Sequence, residues 1–155
     1  MVSFNGKLWI IGGQAPDKEG DGNVWSSANG SDWDEVTREA PWARRHGHSV
    51  LVHNSELWLL GGYSFRDVWH SPNGSSWTSA TLDAPWGGDC AAAVAYDGKI
   101  WALTTDYAKN ALWRAFFVVF HFVDRICVPL HADTGFVHGP REQTVQDFPI
   151  AIGRL

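Results

Sequence analysis

Residues 45–81 read RHGHSVLVHNSELWLLGGYSFRDVWHSPNGSSWTSAT, and this stretch decides the fold. It holds four short apolar runs, at 49–53, 57–60, 67–70 and 76–81. Polar or glycine-rich residues separate them: Asn54-Ser55, Gly61-Gly62 and Pro72-Asn73-Gly74. Apolar and polar residues alternate, with Val, Leu, Trp and Thr favoured. That pattern predicts strands rather than helices, because successive strand side chains point to opposite faces. Asn73-Gly74 suits a type I′ hairpin, since both residues tolerate the positive φ such a turn requires. The segment therefore reads as a four-stranded antiparallel meander.

The same unit recurs on either side. Trp25, Trp69 and Trp113 stand 44 residues apart, as do Trp33 and Trp77 and the triplets Ala40-Pro41-Trp42 and Ala84-Pro85-Trp86. Trp9, Trp58 and Trp101 also correspond, the first interval being lengthened by an insertion at residues 15–22 (APDKEGDG). The three copies begin VSFNGKLWIIGG, VLVHNSELWLLGG and AVAYDGKIWALTT. A twisted sheet with apolar residues on both faces cannot bury them alone and must stack on similar sheets. Trp58, Trp69 and Trp77 are expected between sheets, each burying on the order of 200 Å². Gly61-Gly62 lets the chain turn where a side chain would strike the neighbouring sheet.

These marks resemble the Kelch-type repeat of β-propellers, in the Trp-rich form of galactose-oxidase-like propellers. They are the double glycine closing the second strand (Gly12-Gly13, Gly61-Gly62), an aromatic in the third (Trp25, Trp69) and a Trp opening the fourth (Trp33, Trp77). The segment W-x-S-x-N-G-x-x-W, at 25–33 and again at 69–77, also resembles a sialidase-type Asp box, one residue short and with Asn where Asp is usual. The propeller resemblance covers about residues 2–114 and implies an all-β, incomplete β-propeller of four-stranded antiparallel blades, about two and a half of them.

The repeat fades towards the C-terminus. Gly61-Gly62 becomes Thr104-Thr105, His48 becomes Ala92, and no Trp follows Trp113. Residues 115–155 form a non-repeat tail, expected to be poorly ordered. Within it 115–123 (AFFVVFHFV) reads as an edge strand in the fourth-strand position of the third blade. Beyond Asp124, prolines at 129, 140 and 149 and glycines at 135, 139 and 153 predict coil. A propeller closes with about four to eight blades. Uncovered apolar faces on the first and third blades are therefore expected to drive self-association or to meet additional blades.

Composition excludes several function classes. Net charge is −5 with scattered acids, which predicts no nucleic-acid or membrane partner. Cys90 and Cys127 give no disulfide framework and no compartment. No signal peptide is visible in the sequence given, and its most apolar run is too short to span a bilayer. There is no phosphate-binding loop, nucleophile elbow or zinc CxxC pair, so no cofactor is assigned.

Candidate functional residues lie at the blade junctions. Trp42 and Trp86 follow prolines in the loops between blades, and Trp42 is expected to be more exposed than Trp58, Trp69 or Trp77. Arg44, Arg45, His46 and His48 form the densest polar cluster. In similar propellers such arginines face the centre, where anions or acidic peptides bind. The alternative is that Arg45 and His48 hydrogen-bond loop carbonyls of the adjoining blade, since buried polar groups need partners. His131, Asp133 and His138 have residue types that suit zinc, but their spacing fits no helix face and no metal is assigned. Neither the tyrosine–histidine set of a galactose-oxidase-like copper centre nor a sialidase-like arginine triad is present.

The resulting expectation is a non-catalytic interaction module presenting loops to a protein or glycan partner, as a fragment of a larger propeller. The alternatives are a remnant of a galactose-oxidase-like or sialidase-like enzyme, or a truncated, non-functional gene product.

Overall fold

The computed structural model describes residues 1–14, 21–84, 90–104, 116–123 and 126–131. Twelve strands form three four-stranded antiparallel sheets, and no helix occurs among the described residues. Sheet one holds β1 (Val2–Phe4), β2 (Lys7–Gly13), β3 (Asp21–Ser27) and β4 (Asp34–Thr37). Sheet two holds β5 (Ser49–His53), β6 (Glu56–Leu60), β7 (Val68–Ser71) and β8 (Thr78–Thr81). Sheet three holds β9 (Cys90–Tyr96), β10 (Lys99–Thr104), β11 (Phe116–Val123) and β12 (Ile126–His131). Each is a meander in chain order.

The type I′ turns sit elsewhere than the Asn-Gly pair suggested. Asn54 and Ser55, with φ of 49° and 58°, join β5 to β6, and Asn5-Gly6 and Asp97-Gly98 repeat that conformation. Each turn is followed by a tryptophan whose indole N–H donates back across it. Trp9 Nε1 reaches Phe4 O at 2.9 Å, Trp58 Nε1 reaches His53 O at 3.0 Å and Trp101 Nε1 reaches Tyr96 O at 3.2 Å. Asn73 instead builds a wider loop. Its Oδ1 accepts from the amides of Ser75 and Ser76 at 3.0 and 2.9 Å, while Ser71 Oγ accepts from Gly74 N at 2.8 Å. Ser27 and Asn29 hold the same loop in sheet one.

Strand alternation sorts each sheet onto two faces, and the sheets stack in one sense. Phe4, Trp9, Ile11 and Val24 of sheet one meet Leu57 and Leu59 of sheet two, flanked by Val50, Val52 and Trp69. The opposite face of sheet two, with Leu51, Trp58, Leu60 and Val68, meets Ile100, Ala102 and Ala93 of sheet three. Residues such as Leu57 and Leu59, wholly removed from water, each contribute about 1.5–3 kcal/mol.

Sheet three departs from the sequence expectation. Phe116–Val123 is its third strand, not its fourth, and Val118 pairs with Ala102 as Trp69 pairs with Leu59. The edge is β12, in residues expected to be coil. Its Pro129 is tolerated because an edge strand can forgo a donor. Trp113, expected in the third strand, and the remaining residues of the tail lie outside the described residues.

Sheet two also docks its loop on sheet one. A Cβ on Gly74 would lie 2.2 Å from Trp9 Cζ3, and Thr37 Oγ1 donates to Gly74 O at 3.1 Å. Gly74→Ala is therefore expected to destabilise the chain by about 2–3 kcal/mol through overpacking and backbone strain. Gly98→Ala, with a similar φ of +67° and open space around it, carries only the backbone part, about 1 kcal/mol. Urea denaturation of both variants checks the difference; equal losses would mean that the loop does not seat on Trp9.

Candidate functional site

The segment between β4 and β5 ties two sheets together through its backbone. Ala40 N donates to Gly22 O at 3.0 Å, and Arg45 bridges Asp21, with Gly13 N donating to Arg45 O at 3.1 Å. The double glycine of sheet one makes room for this path. Gly12 has φ +57°, and a Cβ there would meet His48 Cε1 at 2.9 Å.

Arg45 turns its side chain away from any surface. Only 1% of the residue is exposed. Its Nε donates to Ala43 O at 3.0 Å, and one terminal nitrogen donates to Gly61 O at 2.9 Å. Both terminal nitrogens also grip the Asp67 carboxylate, the second at 2.7 Å, and the guanidinium lies 4.2 Å from the centre of the Phe65 ring. Trp69 Nε1 donates to Asp67 Oδ2 at 2.7 Å. Burial alone would raise the Asp67 pKa. The paired guanidinium and the indole N–H more than offset it and hold the group below its usual value.

His48 is a structural residue as well. Its Nε2 lies 2.7 Å from Ile11 O, which fixes the Nε2–H tautomer of a neutral ring, and burial lowers its pKa against the opposing pull of that carbonyl. Nearby Arg45 lowers it further. The hydrogen-bonding alternative raised for Arg45 and His48 is thus the observed one. Trp42 corrects the expectation of a surface residue. It is 3% exposed, more buried than Trp58, with its ring edge-on to Trp77 at 4.3 Å and 84°. Its indole fills the seam between sheets one and two. Trp69 and Trp77, expected to be mostly buried, are half-buried beside the same core. Trp86 lies outside the described residues.

What stays accessible is smaller. Arg44 is exposed and pairs with Glu39 at 3.3 Å. His46 stacks on Tyr63, ring centres 5.8 Å apart and 11° from parallel, while Tyr63 N donates to His46 O at 3.1 Å. Tyr63 is 64% exposed. Sequence reading missed it, although its place directly after Gly61-Gly62 marks the loop that faces the junction. A shallow cleft on sheet one is lined by Asp21, Asn23, Trp25, Glu35, Arg38, Glu39 and Arg44. No cluster of His, Cys, Asp and Glu suited to a metal occurs among the described residues. Of the H-x-D-x4-H set only His131 is described, in β12 opposite Val118.

Among solved structures, the fold is similar to that of YjhT, with a TM-score of 0.63 over 84% of this chain and 44% of YjhT, at 14% identity. That likeness concerns the fold alone, and this chain spans less than half the length of YjhT. Together with three stacked four-stranded sheets it is compatible with a β-propeller. No protein-family model and no curated protein matches the sequence.

The junction makes testable demands on stability. Arg45→Ala leaves a half-buried carboxylate without its cation and is expected to cost about 3–5 kcal/mol in urea denaturation. Stability should also fall below pH 6.5. There the unfolded chain protonates its histidines while folded His48 and His53 resist, so the folded state loses ground as pH drops. His48→Gln is expected to flatten that slope in part, and an unchanged slope would remove His48 from the junction. Asp67, with its folded pKa depressed, contributes stability above its usual 3.8 that is lost as pH falls further.

Proposed function

We propose that this chain is part of a Kelch-type propeller and acts as an interaction module, its junction loops presented to a protein or glycan partner. The observation that carries the reading is the His46–Tyr63 stack. A largely exposed phenol ring is held parallel to and offset from an imidazole, with a backbone bond between the two residues. An aromatic face pre-ordered in this way binds a sugar ring or a partner side chain at small entropic cost. Arg44, two residues before His46 in the chain, is exposed and paired with Glu39. Support for the Kelch assignment comes from the recurring double glycine, third-strand tryptophan and fourth-strand tryptophan in sheets one and two.

The test is a screen of the chain against glycan and peptide arrays, followed by titration of the best ligand. Tyr63→Ala and His46→Ala are each expected to weaken binding at least tenfold while leaving the thermal midpoint within a few degrees. Turnover of galactose or sialoside substrates would favour the enzyme-remnant reading instead. Binding that survives both substitutions would move the site away from this junction.

A further inference from the structure

The two ends of the stack expose opposite faces of the same repeat. On sheet one the open face carries Leu8, Ile10, Trp25 and Trp33, which correspond to Leu57, Leu59, Trp69 and Trp77 of sheet two. Leu59 is 0% exposed because sheet one covers it, whereas Ile10 is 39% exposed. On sheet three the open face carries Val94 and Tyr96, which correspond to Leu51 and His53. Sheet three buries Leu51 to 6% exposure, while Val94 is 58% and Tyr96 70% exposed. Each open face therefore matches a face that a neighbouring sheet already covers elsewhere in the same chain.

We propose that these two faces meet between two copies of the chain, sheet three of each stacking on sheet one of the other, to close a ring of six sheets. The inference rests on the propeller part of the reading above and not on its binding part. The occupant follows from the stacking sense. Both internal junctions press the Leu57-type face of one sheet onto the Trp58-type face of the sheet before it. A third junction of that sense between chains needs only the two faces that no other described residue covers. Such a head-to-tail contact either closes or runs on into a filament. Six sheets fall inside the range of about four to eight at which propellers close. The matched part of YjhT is also a little under half of that chain, so two copies supply about one YjhT of sheets.

Sedimentation velocity on the 155-residue chain at micromolar concentration tests this. The expected result is one compact species of twice 17.2 kDa. Ile10→Lys and Val94→Glu alter opposite ends, at positions exposed in the single chain, and each is expected to weaken pairing at least tenfold with far-UV circular dichroism unchanged. Mixing the two variants in equal parts restores the pair, since one junction of the mixed ring is unaltered and the other carries opposite charges. A monomer at all concentrations overturns the proposal, as do open-ended polymers, variants that pair like the parent, or folded variants that stay apart when mixed. None of these outcomes bears on ligand binding at Tyr63, so the two readings fail separately.

Discussion

Arg45 belongs to two sheets at once, and the rest of the architecture depends on that double membership. Its backbone pairs with Asp21 and Gly13 of sheet one, while its side chain saturates the Gly61 carbonyl and the Asp67 carboxylate of sheet two. Burying a guanidinium is tolerated only when nearly every donor finds an acceptor, and here the acceptors come from a strand end and the loop that precedes it. The arrangement fixes how far sheet two rotates on sheet one. A slipped register would leave a buried charge uncompensated, which is far more costly than a slipped apolar contact.

That demand explains why so little of the polar cluster remains for chemistry. Arg45, His48 and Trp42 are consumed by the seam, and the remnant is the stacked pair His46 and Tyr63, with Arg44 exposed and paired to Glu39. Trp42 Nε1 and His48 Nδ1 are buried without a hydrogen-bond partner among the described residues, the trace of a junction packed for shape first. The loops carry whatever recognition the module performs, because the sheets behind them are committed to one another.

Much of the fold was legible because its signals are local and repeated. Alternation gave the strands, and the spacing of tryptophans gave the stacking unit. The hairpin turn was misplaced because Asn-Gly has two uses. It supplies two positive φ values at Asn5-Gly6, but at Asn73-Gly74 the asparagine side chain caps amides instead and only the glycine turns left-handed. Trp42 was misread because a residue after proline in a connecting loop gives no sign of which way its ring points. In the third repeat the spacing marked Trp113, whereas the register places Val118 opposite Ala102, a shift that only strand pairing reveals. The Arg45–Asp67 pair left one readable trace. Arg45 has no counterpart in the third repeat, where Asp89 stands at its position.

The two seams also differ in their apolar contacts. Where sheet two meets sheet one it offers Val50, Leu57 and Leu59. Where sheet three meets sheet two the corresponding residues are Ala93, Ile100 and Ala102. Replacing a valine and a leucine by alanines removes about five carbons from the seam, or roughly 4 kcal/mol at about 0.8 kcal/mol for each. At these three positions the apolar contribution is therefore smaller where sheet three meets sheet two than where sheet two meets sheet one. The His46–Tyr63 stack sits at the junction that the Arg45–Asp67 pair clamps. Its geometry is therefore held beside a buried ion pair that is costly to break, so a binding surface there is ordered before its ligand arrives.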